Sequence, residues 1–271
     1  MTNFIKTGVI GHPISHSKSP LIHNYWIEKY GINGEYKSID IHPDNLQSGV
    51  QKLIDEGYKG FNVTVPHKIN IMDLCYEIDD LAKEIGAVNT VTIKDGKLYG
   101  TNTDAYGFAQ NIKINAPNFD FKKGKAVILG AGGAAKAALY ALEKEAVPEI
   151  IITNRTKEKA DNLAHGIIKS IDWEQKNNAI KGANLIINTT SLGMTGKPNL
   201  DIDITKISPH ALINDIVYAP LYTDLLKTAK SKNIQIVTGI GMLLYQACRG
   251  FELWNGTTPN VTKELEDLAL S

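Results

Sequence analysis

A glycine-rich segment between an apolar run and a helix-like pattern is the feature that most constrains the fold of this chain. Residues 130–135 read Gly-Ala-Gly-Gly-Ala-Ala and directly follow the run Lys125-Ala-Val-Ile-Leu129. In this G-x-G-x-x-A pattern, Gly130 permits a tight turn, Gly132 lets the backbone approach a pyrophosphate, and Ala135 lets the helix pack closely on the sheet. Strand, glycine turn and helix in this order predict a Rossmann-type parallel sheet, with the free N–H groups of the helix directed at phosphate.

The end of the next apolar run indicates which dinucleotide would be bound. Ile150-Ile-Ile-Thr153 leads into Asn154 and Arg155, where chains that bind NAD usually carry Asp or Glu. A guanidinium offers forked donors to a phosphate, so the pattern predicts NADP(H). If these bonds contribute roughly 1.5–3 kcal/mol, NADP should bind about 10- to 100-fold more tightly than NAD. A glycine-rich hexapeptide alone is equally an ordinary helix-entry turn; its strand, its helix and Arg155 favour the phosphate site.

Length, charge and cysteine content narrow the class of protein. At 271 residues, the chain is long enough for one large or two medium domains. Its 29 basic and 29 acidic residues cancel, which gives no indication of nucleic acid or an anionic membrane as partner. Cys75 and Cys248 lack a C-x-x-C motif, which favours reduced thiols in a cytoplasmic protein, although a structural bridge stays open. The sequence predicts no targeting segment and no membrane helix.

Alternating strand and helix patterns predict an α/β protein with two domains. In the first hundred residues, strands are predicted at residues 5–10, 36–41, 61–65, 88–93 and 98–100. Asp95 and Gly96 form a hairpin-turn signal between the last two. Ser19 and Pro20 predict the N-cap and first-turn proline of a helix that extends to about Tyr30, and a second helix is predicted over residues 43–56.

The pattern becomes more regular after residue 125 and predicts a doubly wound parallel sheet. Its strands are predicted near residues 127, 151, 185–187, 212–213 and 234–237. Helices are predicted at residues 157–165, 222–231, 242–254 and 261–270. The predicted domains are residues 1–103, residues 104–238 and a C-terminal helical segment of residues 239–271.

Polar residues at the end of one predicted strand indicate a binding face. Asn62 and Thr64 fall on one side of the strand, whereas its apolar residues fall on the other. A buried strand normally reads as continuous aliphatic, so these side chains either satisfy neighbouring backbone groups or face a polar ligand. Lys68 follows at the carboxyl end of the strand, where α/β sheets bind their ligands, and this favours a ligand.

Two further polar clusters have both a structural and a functional interpretation. Ser17 and Ser19, with the helix that follows them, are suited to receive a carboxylate, although a serine before proline is also an ordinary cap. Asn89 and the segment Thr101-Asn-Thr-Asp104 form the other cluster, in which Asp104 is either functional or simply a helix N-cap. His12 and His16 are four residues apart, but Pro13 argues against a regular helix across them, and His67 has no acidic or cysteine partner at ligand spacing. No metal site is therefore predicted.

Taken together, these motifs identify a family: the chain resembles the shikimate dehydrogenases from its first strand to its last helices. The blocks that carry the resemblance are Ser17-Lys-Ser19-Pro20, Asn62-Val-Thr64-Val-Pro66-His-Lys68, Gly86-Ala-Val-Asn89-Thr90, Asn102-Thr-Asp104-Ala-Tyr-Gly107, Gly130-Ala-Gly-Gly-Ala134, Asn154-Arg-Thr156 and Tyr245-Gln246-Ala247. The resemblance implies reversible NADPH-dependent reduction of 3-dehydroshikimate to shikimate, a step towards chorismate and the aromatic amino acids. It also implies an N-terminal substrate domain, a Rossmann NADP domain, and C-terminal helices that return to the first domain.

The resemblance implies a role for individual residues as well. Ser17 and Ser19 would hold the substrate carboxylate, and Lys68 with Asp104 would form the catalytic pair. The remaining substrate-binding residues would be Asn62, Thr64, Asn89, Gln246 and, reaching across the cleft, Tyr218. The pyrophosphate would lie against Gly130, Ala131, Gly132, Gly133 and Ala134, and the adenosine end against Asn154, Arg155, Thr156 and Lys159. Residues along the ribose and nicotinamide would be Thr190, Ser191, Ile216, Gly239 and Met242.

Elementary chemistry supports the catalytic pair and leaves alternatives open. Hydride transfer to a carbonyl carbon builds negative charge on oxygen, and a cation that donates a proton there lowers the barrier. Lys68 is the candidate acid, although the sequence does not decide whether Lys68 or Asp104 delivers the proton. A quinate or dual-specificity quinate/shikimate dehydrogenase is the nearest alternative, and a catalytically silent NADP-binding sensor is one from a different class. A monomer and a homodimer are equally compatible with the sequence.

Overall fold

The computed structural model describes residues 4–271, and the chain divides into two compact units. The first unit contains the chain up to Thr103 together with Leu244–Ala269, and the second contains Asp104–Leu243. Within residues 4–271, no helix is both long enough and apolar enough to cross a membrane.

The first unit is built on a six-stranded mixed sheet. Its elements up to Thr103 are β1 (Ile5–Gly11), α1 (Ser19–Lys29), β2 (Gly34–Asp40), α2 (Leu46–Asp55), β3 (Tyr58–Val63), β4 (Glu77–Ile78), α3 (Asp80–Ile85), β5 (Thr90–Lys94) and β6 (Lys97–Thr101). The strand order is β2-β1-β3-β5-β6-β4, and β1 pairs in parallel with both β2 and β3. Strand β5 is antiparallel to β3 and β6, and Asp95 and Gly96 turn the β5–β6 hairpin with φ angles of 51° and 70°. The predicted hairpin is thereby confirmed.

Three local predictions in the first unit are corrected. Strand β3 ends at Val63 rather than at residue 65, because Pro66 has no N–H to continue the ladder. The N-cap of α1 is Lys18 rather than Ser19, and Pro20 lies in the first turn. The stretch predicted as one helix over residues 43–56 begins with a 3₁₀ turn, Pro43–Asn45, and becomes α-helical only at Leu46.

The second unit is a six-stranded sheet in which every pair of neighbouring strands is parallel. Its elements are α4 (Asp104–Asn115), β7 (Ala126–Leu129), α5 (Gly133–Lys144), β8 (Ile150–Thr153), α6 (Lys157–Asp161), β9 (Ile168–Ile171), α7 (Lys176–Ala179), β10 (Leu185–Asn188), β11 (Leu212–Asp215), α8 (Asp224–Ser231) and β12 (Gln235–Val237). The strand order β12-β11-β10-β7-β8-β9 is that of a dinucleotide-binding doubly wound sheet. The predicted fold class is confirmed.

Sequence reasoning missed one strand of this sheet and overextended one helix. Strand β9 has only four residues, and Lys169 and Ser170 interrupt its apolar pattern. Helix α6 stops at Asp161, four residues before the predicted end. Strands β7 and β8 are equally short, but they were recognised from unbroken aliphatic runs, which β9 lacks.

Two C-terminal helices, α9 (Ile240–Asn255) and α10 (Lys263–Leu270), complete the chain. The division between the units falls between Leu243 and Leu244, inside α9, whereas the sequence placed the last boundary at residue 238. No break in the pattern marks this point because one helix continues through it.

Residues Leu244–Ala269 of the C-terminal segment belong to the first unit. Its Trp254 donates a hydrogen bond from Nε1 to the carbonyl of Val91 at 3.1 Å. This approach needs a glycine opposite, because a Cβ at Gly60 would lie 2.1 Å from Trp254 Nε1. Trp26 Nε1 donates to the carbonyl of Asn260 at 3.1 Å, so the segment is bonded to the first unit at two tryptophans.

Candidate active site

A buried network of amide and hydroxyl groups lies in the first unit where β3 ends and β5 begins. Asn62 Nδ2 donates to Thr90 Oγ1 at 2.9 Å and to the carbonyl of Asn89 at 3.2 Å. Asn89 Oδ1 accepts from the backbone N–H of Thr103 at 2.8 Å, and Thr103 Oγ1 contacts Gln246 Oε1 at 3.3 Å. The structure therefore brings together Asn62, Asn89 and Gln246, which are more than 180 positions apart in the sequence from first to last.

The hydroxyl of Tyr36 holds Asn62 from the side of β2. It donates to Asn62 Oδ1 at 2.6 Å, and the Tyr36 ring stacks on that of His23 with a centroid distance of 4.1 Å. Burial raises the pKa of Tyr36 well above its usual value, and a hydrogen bond with Ser19 acts in the opposite direction. Tyr36 thus links two residues that the resemblance assigned to substrate binding, and sequence reasoning did not single it out.

The two serines lie at the start of α1. Ser17 Oγ accepts from the backbone N–H of Ser19 at 3.3 Å, so Ser17 rather than Ser19 bonds a free N–H of this helix end. Ser19 is buried and Ser17 is half-buried. Both hydroxyls therefore lie beside the positive end of an 11-residue helix, where an anion is stabilised.

Lys68 lies in the turn that follows β3, and its neighbour anchors this turn. The backbone carbonyl of Lys68 accepts from the N–H of Val88 at 2.8 Å. His67 is fully buried, with Nε2 at 2.7 Å from the carbonyl of Ile41, and its backbone N–H donates to the carbonyl of Thr64 at 2.9 Å. Within residues 4–271, no cluster of three or more potential metal ligands occurs.

Asp104 is the first residue of α4 and follows Thr103 directly. Because Thr103 is bonded to Asn89, the chain is held in place immediately before Asp104. Asp104 lies inside the first helical turn, not at the N-cap position that the structural interpretation assigned to it. Tyr218 is half-buried in the second unit, and burial raises the pKa of its phenol.

The glycine-rich turn of the second unit has the geometry of a phosphate cradle. Gly130 has a φ of 113°, and a Cβ there would lie 2.6 Å from Thr189 Oγ1. Gly132 is the N-cap of α5, and a Cβ on either Gly132 or Gly133 would meet no atom within 4 Å. The helix start therefore presents bare, open backbone, into which a pyrophosphate fits.

A cleft of about 270 Å³ in the second unit runs from this turn to the end of β8. It is lined by Gly130, Ala131, Gly132, Asn154, Arg155, Thr156, Lys159, Trp173, Thr189, Thr190, Ser191 and Leu192. Nine of these twelve residues were assigned to the cofactor from the resemblance, and Trp173, Thr189 and Leu192 were not. Trp173 escaped notice because it follows β9, the strand that the sequence did not reveal.

The remaining residues assigned to the cofactor lie outside this cleft lining. Gly133 and Ala134 form the first turn of α5. Ile216 follows β11, and a Cβ at Gly239 would lie 2.1 Å from the carbonyl oxygen of Ile216, so these two backbones touch. Met242 follows one turn later, with its N–H donated to the carbonyl of Gly239 at 3.1 Å.

Comparison with known proteins gives a single family for all of these parts. Residues 9–91 match the model of the shikimate dehydrogenase substrate binding domain, residues 112–195 that of shikimate/quinate 5-dehydrogenase, and residues 239–263 that of the shikimate 5′-dehydrogenase C-terminal domain. A protein of Paramagnetospirillum magneticum named shikimate dehydrogenase (NADP(+)) is 45% identical, over 97% of this chain and 97% of its own. The chain belongs to the shikimate dehydrogenase family. The family predicted from the sequence blocks is confirmed.

Solved structures of the shikimate dehydrogenase family have the same fold. Quinate dehydrogenase from Corynebacterium glutamicum in complex with NAD matches with a TM-score of 0.92 at 28% identity, over 99% of both chains. Shikimate 5-dehydrogenase from Thermus thermophilus in complex with NADP(H) and shikimate matches with a TM-score of 0.87 at 33% identity, over 98% of both chains. Backbone similarity thus extends to relatives with different acids and different nucleotides in their names.

Proposed function

We propose that this chain catalyses the reversible NADPH-dependent reduction of 3-dehydroshikimate to shikimate, a step of chorismate and aromatic amino-acid biosynthesis. The observation that carries the proposal is similarity over nearly the whole chain to an enzyme named shikimate dehydrogenase (NADP(+)). The chain is accordingly an NADP-dependent oxidoreductase that acts on a CH–OH group. The cradle at Gly132 and Gly133 fits the pyrophosphate of such a nucleotide, and Arg155 supplies a cation at the adenosine end of the cleft.

The polar groups of the first unit suit a polyhydroxylated acid. Asn62, Asn89 and Gln246 present amide donors and acceptors from a buried network, and Thr64 adds a hydroxyl just beyond β3. Ser17 and Ser19, at the N-terminal end of α1, are the proposed partners of the carboxylate. Tyr218 is proposed to contact the substrate from the second unit.

Bound NADPH would supply the hydride, and the chain must supply the proton. Lys68 is the proposed general acid, because an ammonium donates a proton to the oxygen on which negative charge develops. Its turn is anchored by the buried His67, which limits the positions open to the ammonium. Asp104 is the proposed second member of the catalytic pair.

Substrate and cofactor choice are tested together by following NADPH absorbance with shikimate and with quinate, each combined with NADP and with NAD. Turnover with shikimate and NADP, above the other three combinations, is expected. Faster turnover with quinate would instead support the quinate dehydrogenase alternative, to which the solved Corynebacterium glutamicum structure is relevant. Absence of turnover with both acids would leave only the silent NADP-binding sensor.

Replacing Arg155 by Ala is expected to reduce the preference for NADP over NAD about 10- to 100-fold, since roughly 1.5–3 kcal/mol of charge-assisted bonding to the 2′-phosphate is lost. The ratio of the two Kd values, obtained by fluorescence titration, measures the effect. Lys181→Ala removes one positive charge at an exposed position away from the cleft lining and should keep the ratio unchanged. Full NADP preference in the Arg155 variant would show that another group selects the phosphate.

The remaining properties of the protein are also proposals. The partners proposed are small molecules rather than nucleic acids or membranes, in keeping with 29 basic and 29 acidic residues. The proposed location is the cytoplasm, in keeping with two free thiols, Cys75 and Cys248. Burial raises their pKa values to about 11 and about 12, which makes both thiols poor nucleophiles. The proposed state is a monomer or a homodimer.

A further inference from the structure

A buried carboxylate at the end of β11 has no part in the reaction proposed above. Asp215 is fully buried in the second unit. Its Oδ1 accepts from Asn188 Nδ2 at 2.9 Å and from the N–H of Val217 at 3.0 Å, and its Oδ2 accepts from Thr223 Oγ1 at 2.7 Å. Burial raises the pKa of Asp215, and these three donors act in the opposite direction.

Stability alone is a weak reason for this carboxylate. Taking a carboxylate out of water is costly, and the three hydrogen bonds that Asp215 accepts offset this cost. Its distinctive property is that an ionised carboxylate only accepts hydrogen bonds, so it dictates the orientation of every donor around it. Asp215 therefore acts through the groups that it orients, Asn188, Val217 and Thr223.

Asn188 connects Asp215 to the cofactor cleft by hydrogen bonds on both sides of its amide group. Because its amide nitrogen is held by Asp215, its Oδ1 faces the opposite way and accepts from Thr190 N at 3.1 Å and from Thr190 Oγ1 at 2.7 Å. The same amide nitrogen donates to the carbonyl of Leu192 at 3.1 Å. Thr190 and Leu192 both line the cleft, so its wall after β10 is bonded to Asp215 through one side chain.

The loop after β11 is held by the same oxygen, Oδ1 of Asp215. The N–H of Val217 bonds Asp215 Oδ1, which fixes the backbone immediately after Ile216. The carbonyl of Ile216 lies against Gly239, where no side chain would fit. One carboxylate oxygen thus anchors the loops after both β10 and β11.

We infer that Asp215 is a positioning residue, which sets the NADP affinity by holding Thr190 and Ile216 in place through Asn188 and Val217. The inference deepens the proposed function and rests on it, because these loops matter only if the cleft binds the nucleotide. The inference predicts that NADP binds more weakly when Oδ1 of Asp215 is removed. It also predicts that NADP binding is unchanged when only the hydrogen bond to Oδ2 is removed.

The test compares variants that remove hydrogen bonds to Oδ1 of Asp215 with a variant that removes the hydrogen bond to Oδ2. For each variant of the whole protein, the NADPH Kd is measured by fluorescence titration and the Tm by thermal unfolding. Asp215→Ala is expected to raise the Kd about 10- to 100-fold, because two loops lose their shared anchor. Asn188→Ala releases the loop after β10 alone, because Val217 stays bonded to Asp215, and is expected to raise the Kd by a smaller factor. It serves as the test if the first variant does not fold. Thr223→Val removes the Oδ2 contact and the N-cap of α8, so it should lower the Tm and keep the Kd within about twofold.

A conservative variant separates orientation from mere stability. In Asp215→Asn, the amide oxygen still accepts from Asn188 and Val217, and the amide nitrogen can donate to Thr223 Oγ1. Its Kd is therefore expected to return towards that of the wild type. If the wild type does not bind NADPH, the proposed function fails and the inference fails with it. If the wild type binds and the Asp215→Ala and Asn188→Ala variants bind equally well, or if Thr223→Val weakens binding as much, the inference alone is overturned.

Discussion

Replacing Lys68 by Ala should lower kcat about 10²- to 10⁴-fold, the range expected when a positioned general acid is removed. The KM for shikimate should change far less, because the buried network of Asn62, Asn89 and Gln246 remains intact. Initial rates from NADPH absorbance at saturating cofactor give both constants. The backbone role of Lys68, its carbonyl bond from Val88, survives the substitution, so the fold should be preserved.

An exposed lysine of the same unit provides the control for this variant. Lys59→Ala in β3 removes the same charge at an exposed position and should leave both constants unchanged. If KM rises by the same factor as kcat falls in the Lys68 variant, Lys68 binds the substrate and does not deliver the proton. If neither constant changes, the catalytic pair proposed for this chain is wrong.

Acidification should destabilise the first unit through His23. Burial lowers the pKa of His23 from 6.5 to about 3, and both its ring nitrogens are buried without a hydrogen-bond partner among the described residues. Below pH 6.5 the unfolded chain takes up a proton that the folded chain refuses, so the stability contributed by this group is complete above that pH. It falls by about 1.4 kcal/mol per pH unit as the pH decreases towards 3, which amounts to about 2 kcal/mol at pH 5.

Replacing His23 by Phe should remove this part of the pH dependence. A phenyl ring keeps the stacking on Tyr36 and introduces no buried nitrogen, so the variant should be at least as stable at neutral pH. Urea unfolding at pH 7 and pH 5 should show that the variant loses about 2 kcal/mol less than the wild type between these two values. His210→Gln, at an exposed position of the second unit, is the matched control. Equal losses in wild type and His23→Phe would contradict the assignment.

The sequence predicted most about the second unit, for a physical reason. Parallel strands buried on both faces read as short aliphatic runs, and the glycine turn at Gly130 requires a backbone that few other residues adopt. Arg155 could be placed because it follows one of these runs at a fixed distance. The fold class and the family are confirmed, and the individual site roles stay predictions.

The features that the sequence did not reveal depend on contacts between distant segments. Nothing in the local pattern around Tyr36 indicates that its hydroxyl bonds Asn62, and Asp215 reads as an ordinary polar residue after an apolar run. Trp173 was missed with the short edge strand before it. The unit boundary at Leu243 lies inside a continuous helix, where composition and periodicity do not change.

The first unit is assembled from two segments of the chain, and this dictates an order of events during synthesis on the ribosome. Residues 104–243 are made between the two segments, and at about 5–20 residues per second this takes roughly seven to thirty seconds. Throughout that interval, Trp26 lacks Phe251, its later ring neighbour, and the carbonyl of Val91 lacks the indole of Trp254. Until Leu244–Ala269 has been made, the N-terminal segment therefore exposes apolar surface that the complete first unit buries, and aggregation during synthesis is the hazard that follows.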